Sequence, residues 1–206
     1  IPGRVYSQVN PHTDDLRFSL GRICGRITSA LQDFDHKEIH RKLDWDIAQG
    51  QWTARHLELF PATRIKTLRY FLERFESHRQ SYAMLRKSLV HNDANDNNII
   101  VTEDLDSPTV VTSIDFGDAI YTQVINDLAV ACAYASMDLN DPLQGILPVI
   151  RGYHENFPLQ EKELKYLYDC IAIRLIISVT KSALNRIEEP ENTYLQISDR
   201  PAWELL

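Results

Sequence analysis

The sequence contains no run of about 18 apolar residues, the shortest stretch that forms a membrane-spanning helix. Its most apolar stretch, Ile171 to Val179, is interrupted by Arg174. In such a setting we expect Arg174 to be a buried ion-pair partner rather than a ligand contact. The first residues show no basic segment followed by an apolar one, so they do not resemble a signal peptide. We therefore expect no membrane partner.

Cysteine, glycine and positive charge are also in short supply. The three cysteines are far apart and form no CxxC pair, which predicts free, buried thiols and a cytoplasmic location. The 22 basic residues are outnumbered by 29 acidic ones, giving a net charge of −7 and arguing against a nucleic-acid partner. The seven glycines include no G-x-G-x-x-G phosphate loop, and Gly21 and Gly25 lie in a helical pattern that favours close packing.

Helical periodicity occupies both ends of the chain. The first stripe lies at helical spacing and consists of Leu16, Leu20, Ile23, Ile27, Leu31 and Phe34. A less regular helical stretch covers about 42–60, and Pro61 suits the first position of a third helix. Helical spacing returns after Val124, in 142–157, in 160–187 and in about 191–205.

Short β-branched runs separate these helical regions. Ile99–Val101 and Thr109–Val111 flank the turn-like segment Glu103–Pro108, which predicts a hairpin. The sequence therefore predicts an α+β fold that is mostly helical, with one small central β-hairpin.

Densely polar segments lie at the two distal ends of this hairpin. One is HNDANDNN at residues 91–98, and the other is IDFGD at residues 114–118. Because a hairpin brings its distal ends together, Asp93, Asn98 and Asp115 should converge. Oxygen ligands of this kind suit Mg²⁺, and a nearby Asp can accept a hydroxyl proton, as phosphoryl transfer from a nucleotide requires. The spacing of His91, Asp93 and Asn98, followed by Asp115-Phe116-Gly117, matches the kinase catalytic-loop and D-F-G motifs.

These two motifs resemble the aminoglycoside phosphotransferase and choline kinase superfamily of small-molecule kinases. The match runs through LVHNDANDNNIIV at residues 89–101, continues over 114–121 and reaches NDLA at residues 126–129. Asn92 stands where this family prefers Gly. The longer match looks most like the hydroxylysine and homoserine-kinase-like branch, including a domain fused to class III aminotransferases. The tail from Tyr194-Leu195 to Trp203 is similar to that fused group.

The resemblance implies a role for each matching residue. Asp93 corresponds to the catalytic base that orients the acceptor hydroxyl, and Asn98 and Asp115 to the Mg²⁺ ligands that bridge the phosphates of ATP. His91 would brace the catalytic loop. Asp127 would cap the following helix and hold the loop backbone.

Two further carboxylates are weaker candidates for substrate contacts. Asp118 would lie at the pocket mouth and meet a cationic amine of the substrate. Asp46, beside Trp45, would face the substrate cleft, although a buried Trp with a surface Asp is the simpler expectation.

The resemblance also implies a domain organisation. We expect residues 1–206 to form one C-terminal lobe of a protein-kinase-like fold, in a chain whose N-terminal nucleotide lobe is missing. Its parts would be an interlobe hinge region at 1–12, a helical part at 13–88, catalytic and metal loops on a β-hairpin at 89–121, and a helical part at 122–206. The lobe would have negligible turnover alone.

Three functions remain open at this point. The first is an ATP- and Mg²⁺-dependent phosphotransferase whose acceptor is a small-molecule alcohol, an amino alcohol or a hydroxy-amino acid. The second is a non-catalytic regulatory or substrate-holding domain of a larger aminotransferase fusion. The third is a metal-dependent phosphohydrolase, which the lack of an adjacent His-Asp pair disfavours.

Overall fold

The structure is a computed structural model that describes residues 2–192 and 199–206. The described helices are α1 (Asp14–Ala30), α2 (Ala62–Ser77), α3 (Arg79–Ala83), α4 (Ile125–Ala135), α5 (Pro142–Asn156), α6 (Glu161–Glu188) and α7 (Asp199–Leu205). The described strands are β1 (Arg4–Val5), β2 (Lys87–Val90), β3 (Ile99–Val101), β4 (Val110–Ser113) and β5 (Ile120–Gln123). The predicted mostly helical α+β fold is confirmed.

The strands form two small antiparallel sheets rather than one hairpin. The first has the order β1-β3-β4 and contains the predicted hairpin, with Ile99 opposite Ser113. The second pairs β2 with β5, with Val90 opposite Ile120. Residues 1–12, expected to be irregular, therefore contribute a strand to the first sheet, and the part expected to be helical, 13–88, ends inside β2. Sequence periodicity missed these strands because two to four residues are too few to show alternation.

Helices α1 and α5 approach each other closely through glycine. A Cβ on Gly21 would overlap the carbonyl oxygen of Val149, and a Cβ on Gly152 would overlap that of Phe18. The predicted packing role of Gly21 is confirmed. The predicted apolar stripe is too long, since α1 ends at Ala30 and Phe34 is half exposed beyond it.

The segment after α1 contains no α-helix at 42–60. Residues Ile47–Leu59 instead form 3₁₀ turns that are interrupted by non-helical backbone at His56. Gly50 lies against Ile173 of α6, so the tight turns bring the backbone close to that helix. Pro61 precedes α2 as its cap and is not its first helical residue.

Helices α4 and α6 occupy the centre of the core. Nearly every residue of α4 is buried, and so is the apolar stretch of α6 that contains Arg174. Cys24, Cys132 and Cys170 are buried and free, as predicted. Residues 191 and 192 are not helical, the described part of the last helix is Asp199–Leu205, and Tyr194 and Leu195 of the predicted tail lie outside the described residues.

Within residues 2–192 and 199–206, no helix is both long enough and apolar enough to span a membrane.

Candidate active site

The predicted hairpin places the two polar segments next to each other. Strand β3 begins directly after Asn98, and β4 ends directly before Ile114. The Ile114 N–H donates to the carbonyl oxygen of Asn98 at 2.8 Å, which extends the pairing one step beyond the strands. Asn98 and Asp115 are therefore neighbours at one end of the sheet.

The loop before β3 is shaped by Asn95. Its side-chain oxygen accepts hydrogen bonds from the backbone N–H groups of Asn97 and Asn98, at 2.9 and 3.2 Å. This is the turn chemistry expected of Asn. Asn95 has a second function that the sequence did not reveal, because its side-chain amide also donates to Asp93 Oδ2 at 2.9 Å.

Asp93 is held on both carboxylate oxygens. Asn98 Nδ2 donates to Asp93 Oδ2 at 2.8 Å and to the Asp93 carbonyl oxygen at 3.0 Å. Arg174 Nη2 donates to Asp93 Oδ1 at 2.8 Å, and the Asp93 side chain keeps 21% exposure. A carboxylate has about four lone-pair positions. The contacts with Asn95, Asn98 and Arg174 use three, which leaves one on Oδ1 for a further donor.

His91 connects the two segments of the site. Its Nδ1 accepts from the Asp93 N–H at 3.2 Å, so Nε2 carries the proton and lies 2.9 Å from the Ile114 carbonyl oxygen. The Ser113 hydroxyl lies 2.8 Å from the same nitrogen. The ring is buried and meets Phe116 edge to face, with 4.5 Å between ring centroids. Both ring nitrogens are engaged, which is the geometry of a brace rather than of a proton acceptor.

Asp127 holds the backbone of the same loop. Its side chain is buried, its Oδ1 accepts from the Asn92 N–H at 2.9 Å, and its Oδ2 accepts from the Thr28 hydroxyl at 3.1 Å. The expectation that it caps the following helix is wrong. Helix α4 begins at Ile125, and no side-chain hydrogen bond caps it.

Asn92 occupies a backbone position that suits Gly or Asn. Its φ of 66° lies in the left-handed region, which other residues adopt at a steric cost. Its side chain is completely buried, and neither amide atom hydrogen-bonds to a described residue. The departure from the family's preferred Gly therefore preserves the backbone conformation and adds a buried polar group.

The D-F-G segment forms a tight turn that exposes Asp115. Asp115 has a φ of 61°, and its Oδ1 accepts from the Gly117 N–H at 3.1 Å. Arg41 Nη2 donates to the carbonyl oxygens of Gly117 and Ala119 and holds the turn from outside. Asp115 thus presents its second carboxylate oxygen to solvent.

Asp118 lies at the end of this turn and is half buried. Burial raises the pKa of its carboxyl, and the negative charge of Asp93 raises it further, whereas Arg174 and Arg41 lower it. No described residue hydrogen-bonds to this carboxylate. The negative charge of Asp93 therefore acts on Asp118, and the oxygens of Asp118 are free to meet a donor.

Two positions were expected for Asp46, one facing the substrate cleft and one on the surface, and both are wrong. Asp46 is neither a surface residue nor accessible to the site, since it is only 4% exposed. Its Oδ1 caps the 3₁₀ turns through the Ala48 N–H at 3.0 Å and accepts from the Thr122 hydroxyl at 2.9 Å. Burial raises the pKa of Asp46, and these hydrogen bonds oppose the shift. Its neighbour Trp45 instead packs on Arg174, with 4.5 Å from the guanidinium carbon to the ring centroid.

Arg174 is a buried ion-pair partner, as predicted, but sequence could not identify Asp93 as its partner. The two residues are 81 positions apart. The available indication was a charged residue inside an apolar helix, which requires some buried partner without specifying which one.

The side-chain oxygens of Asn98 and Asp115 fit a hard divalent cation. The Asn98 amide nitrogen is engaged with Asp93, so its oxygen is the free end, and Asp115 has one oxygen without a described partner. Within the described residues, no three His, Cys, Asp or Glu side chains cluster as metal ligands. A cation here would therefore need further oxygens from phosphate or water, as Mg²⁺ commonly does in nucleotide sites.

Comparison with known proteins identifies the family of this chain. The model of the phosphotransferase enzyme family, APH, matches residues 1–159. The chain belongs to this family. The hydroxylysine kinase of Mus musculus is 24% identical over 223 residues, covering 100% of this chain and 58% of the relative. That of Danio rerio is 23% identical over 220 residues, covering 100% and 62%. The chain thus spans about three-fifths of the length of these relatives.

Solved structures of kinases share the fold. The GDP and kanamycin complex of APH(2")-IIia superposes with a TM-score of 0.69 at 14% identity, covering 99% of this chain and 68% of that one. An amicoumacin kinase in complex with AMP-PNP and Ca²⁺ gives 0.63 at 18% identity, covering 100% and 63%. A microcompartment-associated aminopropanol kinase gives 0.59 at 18% identity, covering 92% and 60%.

Proposed function

We propose that this chain is the catalytic and acceptor-binding lobe of an ATP- and Mg²⁺-dependent kinase. The acceptor is the hydroxyl of a small amino alcohol or hydroxy-amino acid. The observation that carries the proposal is the carboxylate of Asp93, which is held on both oxygens and retains one free lone-pair position beside Asn98 and Asp115. The names of the relatives, hydroxylysine kinases, support an acceptor that carries both an amine and a hydroxyl.

The residues of the chain divide the reaction between them. Asp93 accepts a hydrogen bond from the acceptor hydroxyl, orients its oxygen towards the γ-phosphorus and takes the proton as the new O–P bond forms and ADP leaves. Asn98 and Asp115 hold Mg²⁺, which supplies positive charge to the phosphate oxygens. Asp118, whose carboxylate has no described partner, meets the amine of the acceptor.

The lobe requires sequence outside this chain to complete the nucleotide site. The chain has no G-x-G-x-x-G loop, and it spans only 58% of the mouse relative. We propose that an N-terminal lobe supplies the main ATP contacts and that this chain alone has negligible turnover. The proposal includes a cytoplasmic location, where ATP is available, and it does not require a fused aminotransferase.

The test uses the complete gene product that contains this chain. Release of ADP from Mg-ATP is measured with hydroxylysine, aminopropanol and other amino alcohols as acceptors. We expect turnover with one of them, and Asp93→Asn to lower kcat by about 10²- to 10⁴-fold. Asp96→Asn is the matched control, because this carboxylate lies in the same loop and contacts Asn97 rather than Asp93.

Two outcomes would contradict the proposal. Equal losses in the Asp93 and Asp96 variants would show that the loop is merely sensitive to charge. Turnover with no acceptor, together with no thermal shift by Mg-ATP, would instead favour the regulatory or substrate-holding module. For the amine site, Asp118→Asn should raise KM for amino acceptors selectively, and an unchanged KM would remove Asp118 from the pocket.

A further inference from the structure

Arg174 lies at the middle of the longest helix and is almost completely buried. Its side chain is 2% exposed, and its neighbours along α6 from Ile171 to Val179 are apolar except for Ser178. Burial of a guanidinium is unfavourable unless its charge and its donors are satisfied. The position therefore requires a specific partner that compensates for the lost hydration.

The guanidinium makes one short hydrogen bond, and this bond goes to Asp93. Nη2 lies 2.8 Å from Asp93 Oδ1, whereas the other polar contacts, with the Trp45 carbonyl oxygen and the Tyr134 hydroxyl, are 3.5 Å long. The Nε atom has no hydrogen-bond partner among the described residues. The short hydrogen bonding of Arg174 is thus concentrated on a single carboxylate oxygen.

Two aromatic rings keep the guanidinium in place. Its central carbon lies 4.5 Å from the centroid of the Trp45 ring and 5.7 Å from that of Tyr134. Aromatic faces attract a cation and match the flat shape of a guanidinium, which an ammonium group does not share. The two rings restrict the movement of the guanidinium, which is therefore held at one defined position beside the catalytic loop.

Asp93 is consequently fixed from two directions. Asn95 and Asn98 hold Oδ2 from within its own loop, and Arg174 holds Oδ1 from α6. Of the two charged partners, only Asp93 is open to solvent, with 21% of its side chain exposed against 2% for Arg174. A substrate can therefore contact the Asp93 carboxylate directly. It does not contact the buried Arg174, which affects the substrate only through Asp93.

We infer that Arg174 is a positioning residue, which sets the plane of the Asp93 carboxylate so that the free lone pair of Oδ1 faces the acceptor hydroxyl. This inference rests on the proposed kinase function. Displacement of reacting groups by about 1 Å can cost about 10²-fold in rate. Loss of Arg174 should therefore lower kcat and leave the affinity for nucleotide unchanged.

Arg86 provides a matched control elsewhere in the same chain. It also pairs with a buried carboxylate, Glu163, through hydrogen bonds of 2.7 and 2.6 Å, and its guanidinium carbon lies 4.5 Å from the Phe157 ring centroid. The two arginines thus combine an ion pair with an aromatic face, but Glu163 lies in the first turn of α6 and makes no contact with Asp93. Replacing Arg86 reproduces the loss of a buried ion pair without disturbing the catalytic loop.

The test measures kcat, KM for ATP and melting temperature in the complete gene product. Arg174→Met should lower kcat by about 10²-fold with KM for ATP and the Mg-ATP thermal shift retained. Arg86→Met should lower the melting temperature without this loss of kcat. If Arg174→Met does not fold, Arg174→Lys replaces it, since Lys keeps the charge and lacks the planar fork.

A double-mutant cycle separates positioning from general structural support. If Arg174 acts through Asp93, adding Arg174→Met to Asp93→Asn lowers kcat little further, because the group being positioned is already gone. The inference would be overturned if the two substitutions lowered kcat by independent factors that multiply, or if Arg174→Met lowered only the melting temperature. Either result would leave the proposed kinase function standing. A wild-type protein without turnover would overturn the proposed function and this inference with it.

Discussion

Replacement of Asp127 tests whether its carboxylate anchors the catalytic loop rather than capping α4. In Asp127→Ala, the Asn92 N–H loses its acceptor in a completely buried position. An orphaned buried donor costs about 1–3 kcal/mol. The Thr28 hydroxyl keeps a partner, since it can donate to the Cys24 carbonyl oxygen 3.1 Å away. The space left by the carboxylate adds roughly 1 kcal/mol.

The expected loss of unfolding free energy for Asp127→Ala is therefore about 2–4 kcal/mol. In a domain of this size it corresponds to a fall of roughly 5–15 °C in melting temperature. Urea unfolding followed by tryptophan fluorescence, with a thermal melt, measures both. Because Asn92 adjoins Asp93, we expect kcat to fall as well.

Asp127→Asn is the matched variant. Its amide oxygen can accept from the Asn92 N–H, and its amide nitrogen can donate to the Thr28 hydroxyl, which then donates to Cys24. These partners remain satisfied, but the second amide N–H is left unpaired, so the loss should be about 1 kcal/mol, at the low end of the range for an orphaned donor. The reasoning is refuted if Asp127→Ala costs less than about 1 kcal/mol, or if the Asn variant loses as much as the Ala variant.

Three further predictions concern the contact between α1 and α5, the left-handed residue Asn92 and the half-buried carboxylate of Asp118. Gly21→Ala should destabilise the protein by about 1–3 kcal/mol in urea unfolding, because the new Cβ overlaps the backbone of α5. Asn92→Gly should be more stable than Asn92→Ala by about 1 kcal/mol in the same assay, because φ is positive there. Asp118→Asn should melt at a higher temperature than wild type at pH 7, and the difference should vanish below about pH 4. The raised pKa of Asp118 means that the fold favours its neutral form, so wild type loses stability as pH rises past the ordinary carboxyl range.

Each of these has a result that would count against it. For Gly21→Ala it is a gain in stability, which would mean that the better helix propensity of Ala, about 1 kcal/mol, outweighs the contact. Ser29→Ala on the exposed face of α1 is the control. For Asn92, the contrary result is equal stability of the Asn92→Gly and Asn92→Ala variants. For Asp118→Asn it is a difference from wild type that persists unchanged at low pH.

Sequence reasoning identified the candidate site because its elements are close along the chain. Asp93 and Asn98 lie in one loop, and a short hairpin connects that loop to Asp115, so spacing alone predicts that they meet. The site residues and their roles stay predictions. Local patterns also predicted the glycine contact at Gly21, since a small residue on a helix face permits close approach by another element.

Tertiary structure decided what depends on distant partners. The acceptor of the Asn92 N–H is Asp127, 35 residues away, and the partner of Asp93 is Arg174, 81 residues away. A charged residue in an apolar helix indicates that a partner is required. Only the packing of α6 against the catalytic loop determines which residue that partner is. Asp46 shows the converse. Its residue type suited a substrate contact, and burial against Thr122 made it a structural acceptor instead.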